Sequence, residues 1–152
     1  MPVIDRQILN CSIYVYRTAD EARDGKRTGG CGFVVGFRRA VQGWYLYAVT
    51  NKHVIDAGFH VLRVNTLDGK SAPLQTRPDD WTSVPEDDVA VLPLELPAPF
   101  VIGVIPVDFF LPEHNQGTKG LDVGDDAVLI GRLITHDGRQ RNKPIARFGS
   151  IS

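Results

Sequence analysis

The sequence predicts an all-β protein, and three observations carry the prediction. Fifteen glycines and ten prolines are scattered along 152 residues, which cuts the chain into short segments and leaves little room for a long helix. The segments between them are rich in β-branched and aromatic residues, as in Ser12-Ile13-Tyr14-Val15-Tyr16 and Trp44-Tyr45-Leu46-Tyr47-Ala48-Val49-Thr50. With 43% hydrophobic residues, the chain can bury a sizeable core of its own.

Taken in order, Cys11 to Tyr16 reads as the first strand, and the polar stretch Arg17 to Thr28 as an exposed loop. Gly29-Gly30-Cys31-Gly32 opens a second strand, Phe33 to Phe37, where the glycines imply a sharp turn or a close approach of another segment. Arg38 to Gly43 is of hairpin length and leads into a third strand, Trp44 to Thr50. Asn51-Lys52-His53-Val54-Ile55-Asp56-Ala57-Gly58 lacks strand alternation, starts on a cap-like Asn and ends on Gly, so it predicts one short helical turn. Further strands are expected at His60 to Thr66, around Ala72 to Thr76, at Trp81 to Val84 and at Val89 to Leu94, where Pro93 points to an edge or bulge. About six strands suffice to close a small antiparallel barrel. From Glu95 to Gly124 the prolines and the polar stretch His114 to Gly120 read as a linker with extended pieces, followed by strands at Ala127 to Ile134 and Pro144 to Ile151. The expected organisation is a β-barrel over 1–96, a linker over 97–124, and the first strands of an incomplete second barrel over 125–152.

Composition narrows the function classes. Seventeen basic and eighteen acidic side chains leave a formal charge of −1, so no sequence-wide attraction draws the chain to nucleic acid or an anionic membrane, and neither is expected as a partner. No apolar stretch reaches the roughly 20 residues that a helix needs to cross a bilayer, and Met1 to Leu9 carries no signal-peptide pattern, so a cytoplasmic setting is the expectation. Cys11 and Cys31 are too few for a disulfide scaffold and read as small buried thiols, with a single bridge between neighbouring strands as the alternative. His60, His114 and His136 show no ligand spacing, and the Asp79-Asp80 and Asp125-Asp126 pairs read as turn and strand-start residues. No metal and no other cofactor is expected. The basic stretch Arg132 to Lys143 reads as a solvated hairpin.

One constellation carries chemistry. Tyr47-Ala48-Val49-Thr50-Asn51-Lys52-His53-Val54, preceded by Gly30-Cys31-Gly32-Phe33-Val34-Val35, closely resembles the trypsin-like, chymotrypsin-fold serine peptidases, in a form nearer their bacterial and HtrA-like branches. Asp87-Asp88-Val89-Ala90-Val91-Leu92 resembles the segment bearing that family's catalytic aspartate, and Val123 to Gly131 resembles the first strand of its second barrel. The resemblance implies a chymotrypsin-like antiparallel barrel followed by an incomplete second one. It makes His53 the catalytic base and Asp88 the carboxylate that orients it, in the chain order His then Asp. Chemically, a neutral imidazole can take a hydroxyl proton and return it to a leaving amine, provided a carboxylate holds its other ring nitrogen. Asp87 is expected to face solvent.

The family's nucleophile sits in Gly-x-Ser-Gly, and this chain has no such motif: its serines are Ser12, Ser71, Ser83, Ser150 and Ser152. Cys31 lies on the strand before the histidine, the wrong place for attack. Val54 stands where many secreted relatives carry cysteine, and the family's Ile-Val-Gly-Gly start is absent. The expectation is therefore an endopeptidase domain acting on polypeptides, of which these residues hold the His-Asp half. It is not expected to be active alone and would pair with a missing C-terminal segment or another chain. The alternative is an inactive, protease-like module that binds peptides or partners.

Overall fold

The computed structural model describes residues 4–39, 43–111, 122–132 and 140–152. Residues 40–42 of the Arg38 to Gly43 link, the polar stretch His114 to Gly120, His136 and Arg139 lie outside the described residues, as do the last residues of the strand expected at Ala127 to Ile134. The fold is β-rich and mainly antiparallel. Its larger sheet is built from β1 (Ser12–Tyr16), β2 (Gly30–Arg39), β3 (Gly43–Thr50), β4 (Val61–Asn65), β5 (Ser71–Leu74), β6 (Thr82–Ser83), β7 (Ala90–Leu94) and β8 (Ile105–Pro106). The strands run in the order β5-β4-β1-β2-β3-β7-β6, and β8 adds to β2 in parallel at Val35 and Gly36. A separate hairpin pairs β9 (Asp126–Gly131) with β10 (Ile145–Ser150).

Alternation explains which residues face the core. On β7, Ala90, Leu92 and Leu94 are buried and meet Ile13 and Val15 of β1, Val34 of β2 and Leu62 of β4 in one apolar cluster. β1 is buried on both faces: Tyr14 and Tyr16 point the other way into a second cluster with Ala22 and Val61. The ladder does not close by hydrogen bonding between β5 and β6 among the described residues. An opening of about 380 Å³ separates Leu74–Thr76 from Leu92–Glu95. Side chains tie the margin beside it: the Trp81 indole donates to Thr76 Oγ1 at 3.1 Å, and that hydroxyl donates to the His60 carbonyl at 2.5 Å. β6 pairs with β7 only at Ala90 and Val91, so Pro93, which has no N–H to give, lies beyond the end of that ladder.

One expectation needs correction. The loop expected from Arg17 to Thr28 contains a helix, α2 (Ala19–Asp24), because Thr18 caps it by accepting from the Glu21 amide and Gly25 closes it. A second helix, α1 (Arg6–Leu9), starts on Asp5, whose carboxylate accepts from the Gln7 amide. The basic stretch Arg132 to Lys143 links the antiparallel β9 and β10, its residues 133–139 lie outside the described residues, and it is anchored at Asn142. That residue is 2% exposed; its amide side chain donates to the Arg63 carbonyl at 2.6 Å and its backbone N–H to Asn65 Oδ1 at 2.7 Å. The short turn expected after β3 is present as α3 (Lys52–Asp56).

The two cysteines are free thiols. Cys11 lies across from Val34 and Cys31 across from Tyr14 on the same ladder, too far apart along the strands for the short Cα separation a disulfide requires. Among the described residues, no helix is long and apolar enough to cross a membrane.

Candidate functional site

The register of β3 with β7 brings His53 and Asp88 together. Thr50 is paired with Ala90, so the residues following β3 and those preceding β7 leave the ladder side by side. Asn51 remains extended and the chain then turns into α3, whose Val54 and Ile55 are buried while His53 faces outward. The turn fits closely because Gly30 lies beneath it: a Cβ there would sit 2.9 Å from a Val54 methyl. The glycines that opened β2 thus serve close approach, one of the two roles anticipated for them.

Asp88 gathers donors on both oxygens. Its Oδ1 accepts the His53 backbone N–H at 2.9 Å, and its Oδ2 lies 2.6 Å from His53 Nδ1 and 3.1 Å from Asn51 Nδ2. Its backbone carbonyl accepts from the Lys52 N–H and from Asn51 Nδ2, both at 3.3 Å. The His53 side chain is 71% exposed and that of Asp88 52%, so the ring's remaining nitrogen is open to an incoming group. Asp87 is exposed and takes no side-chain hydrogen bond among the described residues. The Lys52 ammonium is engaged 3.3 Å from Asp56.

The His53 backbone N–H, followed by its ring, holds the Asp88 carboxyl below the usual carboxylate range, with the Asn51 amide adding to the effect. A depressed carboxylate contributes stability that is present above its unfolded value of about 3.9 and lost as pH falls through the lower folded value. Asp88→Asn is therefore expected to be less stable than the parent at neutral pH, with the gap closing in strong acid. Urea titrations of both proteins at the two pH values measure it, and an unchanging gap would contradict the linkage.

No hydroxyl or thiol bonds to the His53 ring among the described residues. Ser12 is buried in β1, Ser71 Oγ accepts from Arg63 and donates to the Gln140 carbonyl, and Ser83 and Ser150 lie within strands. Cys31 packs against the Tyr14 and Tyr16 cluster and also lines the groove beside the dyad, without a bond to the His53 ring. Beside the dyad, a largely apolar groove of about 610 Å³ extends from Asn51 and Asp88 past Phe33 to Val128 and Ile130 of β9. Among the described residues no group of three His, Cys, Asp or Glu side chains converges as metal ligands.

Sequence reasoning identified His53 and Asp88 but assigned Asn51 only a capping role. Its true partner lies 37 residues away, and the usable signal was the strand pairing that a shared register of β3 and β7 implies. Compared with family models and with curated proteins, the chain gives no significant match.

Proposed function

We propose that these residues form the His-Asp half of a trypsin-like serine endopeptidase domain. The observation that carries this reading is the 2.6 Å contact between His53 Nδ1 and Asp88 Oδ2, with the other carboxylate oxygen held by the same histidine's backbone N–H. In this arrangement Nδ1–H donates to Asp88, which leaves Nε2 unprotonated and facing solvent as a general base. The base would take the proton of a serine hydroxyl as that oxygen attacks a peptide carbonyl, and would pass it to the departing amine. Asp88 would stabilise the imidazolium between those steps. The serine, its oxyanion-binding N–H groups and the specificity pocket would come from chain outside these 152 residues.

The test is covalent labelling of the protein as its source produces it. A fluorophosphonate should label one serine outside residues 1–152, and His53→Ala should abolish the label. Equal labelling of the variant would remove His53 from the chemistry. Absence of any label would favour the second reading, a peptide-binding module, which the free outer edge of β10 among the described residues supports: an extended peptide can add to such an edge.

A further inference from the structure

We propose that Asn51 is a positioning residue for the dyad: its side-chain amide fixes the Asp88 carboxylate so that Oδ2 meets His53 Nδ1. The inference rests on the reading of His53 as base and Asp88 as its orienting carboxylate. Asn51 stands at the N-cap of α3 with an extended backbone, φ −75° and ψ 140°, the position where an Asn side chain ordinarily accepts from the first turn. It makes no such bond. The equivalent residues of α1 and α2, Asp5 and Thr18, do cap. The Asn51 side chain is diverted instead to a single residue, where Nδ2 reaches both Asp88 Oδ2 at 3.1 Å and the Asp88 carbonyl at 3.3 Å. Both partners are acceptors, so the amide group is oriented with its nitrogen toward Asp88.

The geometry assigns this contact a task that the rest of the site leaves undone. Oδ1 is fixed by the His53 backbone, but without Asn51 the only side chain on Oδ2 among the described residues is the ring that Oδ2 must orient. At 52% exposure, water competes for that oxygen. The nearby charges do not replace the amide, because Lys52 is engaged by Asp56 and Asp87 takes no part. By spanning the carboxylate and the backbone of the same residue, Asn51 restricts rotation of the Asp88 side chain. That restriction keeps the ring's proton on Nδ1.

The tautomer of His53 is the readout, since ring ¹⁵N shifts distinguish the two neutral forms directly and a purely structural role would not move their ratio. In the 152-residue chain at alkaline pH, the Nδ1–H form should dominate over the Nε2–H form. Asn51→Ala should lower the ratio of Nδ1–H to Nε2–H by about threefold or more. Asn51→Ser should do the same while retaining a side chain that can cap α3, so loss of the helix cannot account for the shift. In an Asp88→Asn background, Asn51→Ser should add nothing. An unchanged ratio in Asn51→Ser, or an additional shift on top of Asp88→Asn, overturns the proposal. Neither serine nor substrate enters this measurement, so failure of fluorophosphonate labelling would end the peptidase reading and leave the role of Asn51 to be decided by the tautomer alone.

Discussion

If the proposed peptidase reading holds, Asp88→Asn is expected to lower kcat for peptide hydrolysis by about 10³- to 10⁴-fold, with KM little changed. The size follows from what the carboxylate does. In the proposed mechanism it accepts the Nδ1 proton across the 2.6 Å contact, which would keep Nε2 free to receive a serine proton, and its charge would offset the imidazolium formed in the transition state. An asparagine fills the same space but can present an N–H to Nδ1, which favours the wrong tautomer and supplies no charge. A 10⁴-fold loss corresponds to about 5 kcal/mol of transition-state stabilisation, far more than an exposed ion pair gives to folding. The two functions of the contact therefore separate: stability should change little and turnover greatly. His53→Ala should cost at least as much, and the double variant little more than the worse single one, because the groups act as a unit. Steady-state kinetics of the three variants, with circular dichroism to confirm folding, make the check. A folded Asp88→Asn protein losing less than about tenfold would show that the dyad does not drive turnover.

What the sequence made visible, and what it hid, divides along the range of the interactions. β3, α3 and β7 were readable because alternating buried residues, a polar cap-like residue and two buried apolar side chains each leave a local pattern. α1 and α2 left none. They are one to two turns long, and α2 buries only Ala22, so no helical apolar stripe develops and the capping bonds of Asp5 and Thr18 look like loop polarity. Arg63 was equally opaque. A charged residue in a strand reads as solvent-facing, yet this one is 1% exposed, with its guanidinium on the Ser71 and Tyr16 hydroxyls. Partners eight and 47 residues away accept from its Nε and Nη1, and nothing local marks them. Asn142 belongs to the same class, since its carbonyl and N–H partners lie on β4. Closure of the sheet was the least readable feature. Strand count permits a barrel, but closure depends on whether β5 and β6 meet, which is a matter of register and twist. Within the site, the motifs revealed His53 and Asp88, whereas the Asn51 contact depends on a pairing formed only once the sheet exists.

Gly32 joins the fold to the site, and Gly32→Ala is expected to damage both. β2 and β3 are in register at Phe33 and Val49, and an added Cβ at Gly32 would fall 2.2 Å from the Val49 carbonyl oxygen and 3.2 Å from Thr50 Cβ. The first obstacle is backbone, so no rotamer change relieves it and the strands must move apart. Overpacking of this kind reaches about 3 kcal/mol, which for a domain of this size lowers Tm by roughly 10 °C. The displacement also has a direction. Thr50 donates its hydroxyl to the Cys31 carbonyl at 3.0 Å and is paired with Ala90, so shifting the end of β3 pulls Asn51 and His53 away from Asp88. Gly32→Ala should therefore lose the His53–Asp88 contact along with stability, seen as a changed His53 ring environment in the molecules that remain folded. Gly149→Ala is the matched control: it lies in β10, where a Cβ meets nothing within 4 Å, and should leave Tm within a few degrees of the parent. Thermal melts of the two variants side by side decide the matter, and equal Tm values would mean that β2 and β3 do not approach at Gly32 as closely as the site requires.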